Sequence, residues 1–135
     1  MNAREYLLQL QALKEDIHRL EERIREIDAE MCSPGAVRYD AIRVQSAPEN
    51  KLENNIDRKE VLKERLTKKQ REYDRLYMEI SDRLDSLEIK HRRALKFYYL
   101  DHRSITWIAG RMHYSREYVY QILSDARHEL EMRYL

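Results

Sequence analysis

The chain has 135 residues, enough for one domain or two small ones. Charged residues make up 38% and hydrophobic residues 42%, with two Gly and two Pro, a balance that points to long helices and excludes a β-sandwich or a loop-rich fold. The formal net charge is +1, and the single Cys excludes an intramolecular disulfide framework. The longest apolar runs, such as Phe97-Tyr98-Tyr99-Leu100, cannot span a bilayer. The opening MNAREYLLQL lacks the basic start, apolar run and small-residue cleavage site of a signal peptide. A soluble cytoplasmic protein is therefore expected, with no cofactor.

The charge is unevenly spread. Residues 1–31 carry a net −3, residues 32–50 are neutral, residues 51–85 carry +1 and residues 86–135 carry +3. The last of these segments also holds six of the ten Tyr, the lone Trp and four of the five His. This mild basic excess permits nucleic-acid binding without demanding it.

The first helix is expected to end near Met31. Ala3, Tyr6, Leu10, Leu13, Ile17, Leu20, Ile24, Ile27 and Met31 alternate spacings of three and four without a fault. That is a heptad seam, and it predicts a left-handed coiled coil. Leu10, Leu13, Ile17, Leu20, Ile24 and Ile27 are the expected oligomer seam. Pro34 cannot continue a helix and disfavours helix at Ser33. Residues 32–50 lack a sustained period and read as a loop, with a short helical turn at 38–44.

A second helix is expected over 49–84, with Leu52, Ile56, Leu62, Leu66, Tyr73, Leu76, Tyr77, Ile80 and Leu84 on its apolar edge. Its middle is very polar, so one narrow edge is buried and the remainder is solvated. The intervening loop is long enough for the second helix to fold back antiparallel on the first; parallel assembly with another chain, or an arm whose seam stays open for a partner protein, are the alternatives. Residues 1–84 thus read as a coiled-coil hairpin and oligomerisation arm, and residues 85–135 as a separate domain.

In that domain, Asp85 and Glu88 have capping-box spacing ahead of a helix over 86–100. Leu87, Ala94, Leu95, Phe97, Tyr98 and Leu100 supply core residues for it. Asp101-His102-Arg103 forms a turn, and Ser104 caps a short helix over 105–112. His113-Tyr114 forms a second turn. Ser115 caps the last helix, which runs to about Arg133 and buries Val119, Ile122, Leu123, Ala126 and Leu130. A short helix, a tight turn and a second helix describe a helix-turn-helix. Ile105, Ile108, Ala109 and Met112 form the inner face of the short helix, with Ala109 small enough for close approach and Val119 ten positions later at the crossing.

This pattern exposes Ser115, Arg116, Glu117, Tyr118, Tyr120 and Gln121 at the start of the last helix, the part that enters a major groove. Arg can pair bidentately with guanine, Gln with adenine, and Glu accepts from cytosine. Tyr118 and Tyr120 can reach thymine methyls or phosphates. Lys90, Arg92, Arg93, Arg103, Arg111 and Arg127 are expected to meet phosphates, which positions a domain without reading sequence. Trp107 reads as a half-buried packing residue. Tyr98, Tyr99 and Tyr134 read as core. His91, His102, His113 and His128 lack ligand spacing, so no metal site is expected. There is no glycine-rich phosphate loop and no nucleophile beside a base, so the chain is not expected to be an enzyme.

Ser115-Arg116-Glu117-Tyr118-Val119-Tyr120-Gln121-Ile122, followed by Ala126 and Leu130, resembles the recognition helix of region four of bacterial sigma factors, which binds the −35 promoter element. Arg93-Ala94-Leu95-Lys96-Phe97-Tyr98-Tyr99-Leu100, then Ser104, Ile108 and Ala109, is similar to the upstream part of that region. The resemblance covers residues 86–133 and implies that Arg116, Glu117, Tyr120 and Gln121 face the bases. Tyr120 stands where Arg is usual, and His113 where Gly is usual. The sigma regions that melt DNA have no counterpart. The whole arrangement resembles the ArpU and RinA late transcriptional regulators of phages of Gram-positive bacteria. That resemblance implies an all-α, sequence-specific double-stranded DNA-binding activator of late genes. Independently of the resemblance, the coiled-coil arm is expected to make a homodimer or higher oligomer, located near the host nucleoid and recruiting RNA polymerase if it is an activator. Alternatives are a small terminase subunit binding a packaging site, an RNA-polymerase-binding modulator, a helix-turn-helix used only against protein and a purely structural adaptor.

Overall fold

The computed structural model describes residues 1–32 and 47–135, with side chains at 1–32 and 53–135. Most of the loop expected at 32–50, including its helical turn at 38–44 and the Pro34 stop, lies outside the described residues. Those residues form five α-helices and no strand: α1 (Ala3–Met31), α2 (Ala47–Asp85), α3 (Ile89–Leu95), α4 (Ile105–Met112) and α5 (Arg116–Tyr134). A π-helical stretch, Lys96–Leu100, continues directly from α3. No helix among the described residues is long and apolar enough to cross a membrane.

The contacts divide the chain into two compact units. One joins Met1–Leu13 to Tyr73–Leu135, and the other is Lys14–Glu72. The sequence reading draws its boundary at 84/85. The core of the first unit instead recruits Ala3, Tyr6, Leu7 and Leu10 from α1 and Ile80 and Leu84 from α2. They pack with Leu87, Leu95, Ile108, Val119, Ile122 and Leu130 in one cluster. Each large aliphatic side chain removed from water contributes about 1.5–3 kcal/mol, and a division at residue 84 would expose those at the ends of α1 and α2.

Local signals explain how α1 starts. Asn2 caps it, accepting the Glu5 N–H at 2.8 Å, and the Ala3 N–H donates to Glu131 Oε1 at 2.8 Å. A carboxylate at this end also suits the helix dipole. Leu7 lies off the heptad seam but is buried, because in the first unit α1 is covered over a wider face than a two-helix seam.

In the second unit the seam is only partly covered. Leu13, at the end of the first unit, and Ile17, Leu20 and Ile24 are half-buried, whereas Ile27 is buried. On α2 the covered edge runs through Asn55, Lys59, Leu62, Leu66 and Lys69. Ile56, expected on that edge, is exposed, and its neighbour Asn55 takes the place. The register differs by one because polar residues occupy seam positions that an apolar pattern skips. Lys59 pairs with Asp28, and Lys69 with Asp16 at 3.6 Å. Tyr77, also expected on the apolar edge, is exposed in the first unit.

The start of α3 differs from the capping-box expectation. Asp85 ends α2 and binds Lys96 Nζ at 2.6 Å. Glu88 is the cap residue but makes no side-chain cap bond. Its own N–H donates to Glu129 Oε1 on α5 at 3.0 Å. A carboxylate distant in sequence thus supplies the contact that a local box would make.

Candidate nucleic-acid interface

The segment that carries the expected DNA-facing residues is built from two well-formed caps. Ser104 Oγ accepts the Trp107 N–H at 3.1 Å and starts α4. Ser115 Oγ accepts the Tyr118 N–H at 3.2 Å and starts α5. Such caps are each worth about 1 kcal/mol. Between them, His113 takes the left-handed conformation at φ 60°, ψ 44°, and the Tyr114 N–H reaches back to the Ala109 carbonyl at 3.0 Å. His102, before α4, is likewise left-handed at φ 55°. Histidine therefore fills two places that favour glycine.

The inner faces of α4 and α5 are buried as expected: Ile108, Ala109 and Met112 on one, and Val119, Ile122, Leu123, Ala126 and Leu130 on the other. Ile105 is half-buried. With Val119 and Ile122 turned inward, Ser115, Arg116, Glu117, Tyr118, Tyr120 and Gln121 are all exposed. Gln121 Nε2 donates to Asp125 Oδ1 at 3.0 Å, which orients its amide. Tyr118 packs on Tyr114, ring centres 4.7 Å apart, and accepts a hydrogen bond from Lys90 Nζ at 2.9 Å. Tyr120 lines a cavity with Tyr98 and Leu123, a contact that its position on the helix did not announce.

The six expected phosphate contacts fall into different settings. Arg93, Arg103 and Arg111 are exposed. The Arg103 guanidinium stacks 4.5 Å over Trp107, and Arg93 lies 5.9 Å from the centre of Phe97. Lys90, Arg92 and Arg127 are half-buried. Arg92 Nη1 donates to the Asp85 carbonyl at 3.1 Å, and Arg127 Nη1 to Tyr99 Oη at 3.2 Å. These last two already serve the fold, as snorkelling cations often do.

Of the tyrosines expected in the core, Tyr99 is buried, whereas Tyr98 and Tyr134 are exposed on one side. Trp107 is 38% exposed and meets Phe97 edge-on, ring centres 5.1 Å apart.

Sequence reasoning missed one cluster. His91 Nδ1 lies 3.0 Å from Glu129 Oε2, and its Nε2 lies 3.8 Å from a Glu88 carboxylate oxygen. Glu88, His91 and Glu129 bring potential metal-ligand atoms within 4.8 Å of one another. Spacing along the chain hides this because Glu129 arrives from α5. Burial pushes the Glu129 carboxyl pKa up, but the Glu88 N–H, His91 and Arg133 outweigh it and hold the value below the usual range. Both Glu129 oxygens are engaged, so the cluster ties α3 to α5.

No protein-family model, no curated protein and no solved structure matches this chain.

Proposed function

We propose that the chain is a sequence-specific regulator that binds double-stranded DNA through a C-terminal helix-turn-helix formed by α4 and α5. The observation that carries this reading is the solvent-facing row at the start of α5. Arg116, Glu117, Tyr118, Tyr120 and Gln121 are exposed together, while Val119 and Ile122 anchor the same turns in the core. Guanidinium, carboxylate and carboxamide groups on one helix start are the side chains that read base edges. Arg93, Arg103 and Arg111 add exposed cations for phosphates.

The arm is read as an antiparallel helical hairpin. Asp28 pairs with Lys59 and Asp16 with Lys69, so α1 descends as α2 ascends. Its half-buried Ile17, Leu20 and Ile24 suit cover by a second copy. Two linked modules would then bind repeated or palindromic half-sites, which raises affinity without new contacts. The likeness to sigma region four and to the ArpU and RinA regulators makes late-gene activation in a phage or prophage the biological setting of this proposal.

The test is a random-oligonucleotide selection near physiological salt, with the full chain and its Arg116→Ala/Gln121→Ala variant in parallel. An enriched motif that the variant loses supports the reading, and its half-site spacing reports the symmetry. No enrichment would overturn it and favour binding to polymerase or another protein. A ring-sized particle that binds one long site would favour the small-terminase alternative.

A further inference from the structure

A cavity of about 220 Å³ opens beside α5 in the first unit. Tyr99 and Leu123, both buried, form its floor. Leu8, Tyr98, Ile105 and Tyr120 form its rim, and their rings and methyl groups share the surface about equally with phenol and guanidinium groups. Arg4 and Arg127 complete the lining, which contains no carboxylate. Polar groups placed beside ring and methyl surface can fix the orientation of a small molecule.

Three features make the cavity more than a crevice. The π-helical stretch Lys96–Leu100 turns two consecutive residues, Tyr98 and Tyr99, into the same space. Insertions of this kind recur at functional sites. The two rings stand edge to face, with centres 4.9 Å apart and planes at 80°, which leaves an aromatic corner for a third ring. Arg127 is held by its bond to Tyr99 Oη, and a guanidinium has five N–H groups, so donors remain for a ligand. Arg4 supplies a second positive charge at the rim.

Size and charge select the ligand class. A cavity of about 150 Å³ accommodates benzene, so this one has room for a single ring with a small charged group. Two guanidiniums without a facing acid call for an anion, and a carboxylate matches the planar fork of arginine. We infer that the cavity binds a small aromatic carboxylate, its ring against Tyr98, Tyr99 and Leu123 and its carboxylate on Arg4 and Arg127. Inorganic phosphate would satisfy the charges but leave the apolar floor uncovered. Tyr120 and Leu123 belong to α5, so a bound ligand would touch the helix that bears Arg116 and Gln121. The binding itself does not depend on any role in DNA recognition.

The experiment is a methyl-labelled NMR titration of the full chain with benzoate, and with benzyl alcohol, acetate and inorganic phosphate as comparisons. Saturable shifts at the Leu8, Ile105 and Leu123 methyls are expected with benzoate. The three comparisons should bind at least about tenfold more weakly, because each lacks either the charge or the ring. Arg4→Gln should weaken benzoate by about tenfold, the worth of a charge-assisted contact. Leu8→Trp should abolish binding by filling the rim. Both positions are exposed, so the variants leave the core intact. No shifts with benzoate, equal shifts with acetate or phosphate, or unchanged binding in both variants would each overturn the proposal. If either variant fails to fold, the wild-type preference for benzoate over benzyl alcohol still decides.

Discussion

Lys90 and Tyr118 hold each other across α3 and α5: Nζ donates to the phenol oxygen at 2.9 Å and lies 5.3 Å from the centre of the same ring. The hydrogen bond to Tyr118 raises the lysine pKa above its ordinary value. Two residues assigned from sequence to different tasks, a phosphate contact and a base contact, therefore act as one unit. Lys90→Met and Tyr118→Phe are expected to be non-additive in DNA affinity in a double-mutant cycle. Strictly additive losses would show that the pair separates when DNA binds.

Arg116 and Arg93 offer a cleaner separation of tasks, because both are exposed and they lie on different helices. On the proposed function, Arg116→Ala costs about 1–3 kcal/mol on the preferred site and relaxes one base position. Arg93→Ala weakens all duplexes evenly and flattens the salt dependence, because one fewer phosphate is neutralised. Affinity measured at several salt concentrations on specific and scrambled duplexes distinguishes the two. If neither variant changes affinity while circular dichroism stays unaltered, the start of α5 and Arg93 do not form the DNA-binding surface.

Much of this arrangement is legible in the amino-acid sequence alone. The caps at Ser104 and Ser115, the bounds of α4 and the buried positions of α5 all follow from short-range chemistry: hydroxyl side chains at helix starts and apolar residues at helical spacing. What escapes depends on residues distant in sequence. Asp85 has the spacing of a cap but spends its carboxylate on Lys96, eleven positions away. The Glu88–His91–Glu129 cluster and the burial of Leu7 both need helices to meet. Asn55 and Lys59 lie on a covered edge because their polar groups can be accommodated there, a fact that an apolar pattern cannot register.

Acid should loosen the join between α3 and α5. The folded Glu129 carboxyl has a lowered pKa: burial opposes the shift, but the Glu88 N–H, His91 and Arg133 prevail. Its stabilising contribution is therefore complete above the pKa of the unfolded chain and is lost as pH falls through the lower folded value. Glu129→Gln is expected to cost about 1 kcal/mol at neutral pH, the net worth of a typical hydrogen bond. It should also reduce the fall in stability on acidification below the ordinary carboxylate range. Urea unfolding across that range tests both effects, and parallel wild-type and variant curves would assign the acid sensitivity elsewhere.

α4 and the turn that follows it each hold one residue against its backbone preference, and both positions can be corrected. His113 occupies the left-handed region, where a side chain costs about 1–2 kcal/mol. Gly110, three residues earlier, sits inside α4, and a Cβ built there meets nothing within 4 Å. Glycine inside a helix costs about 0.5–1 kcal/mol relative to alanine. Gly110→Ala should therefore stabilise the protein by about that amount, for a Tm rise of about 2–5 °C. His113→Gly should be neutral or stabilising, because relief of strain is offset by the greater freedom of the unfolded chain. His113→Val should be clearly destabilising, since a β-branched side chain tolerates positive φ least. Calorimetry on the three variants checks the turn directly. A loss of stability in His113→Gly would mean that the imidazole makes contacts worth more than the strain it imposes.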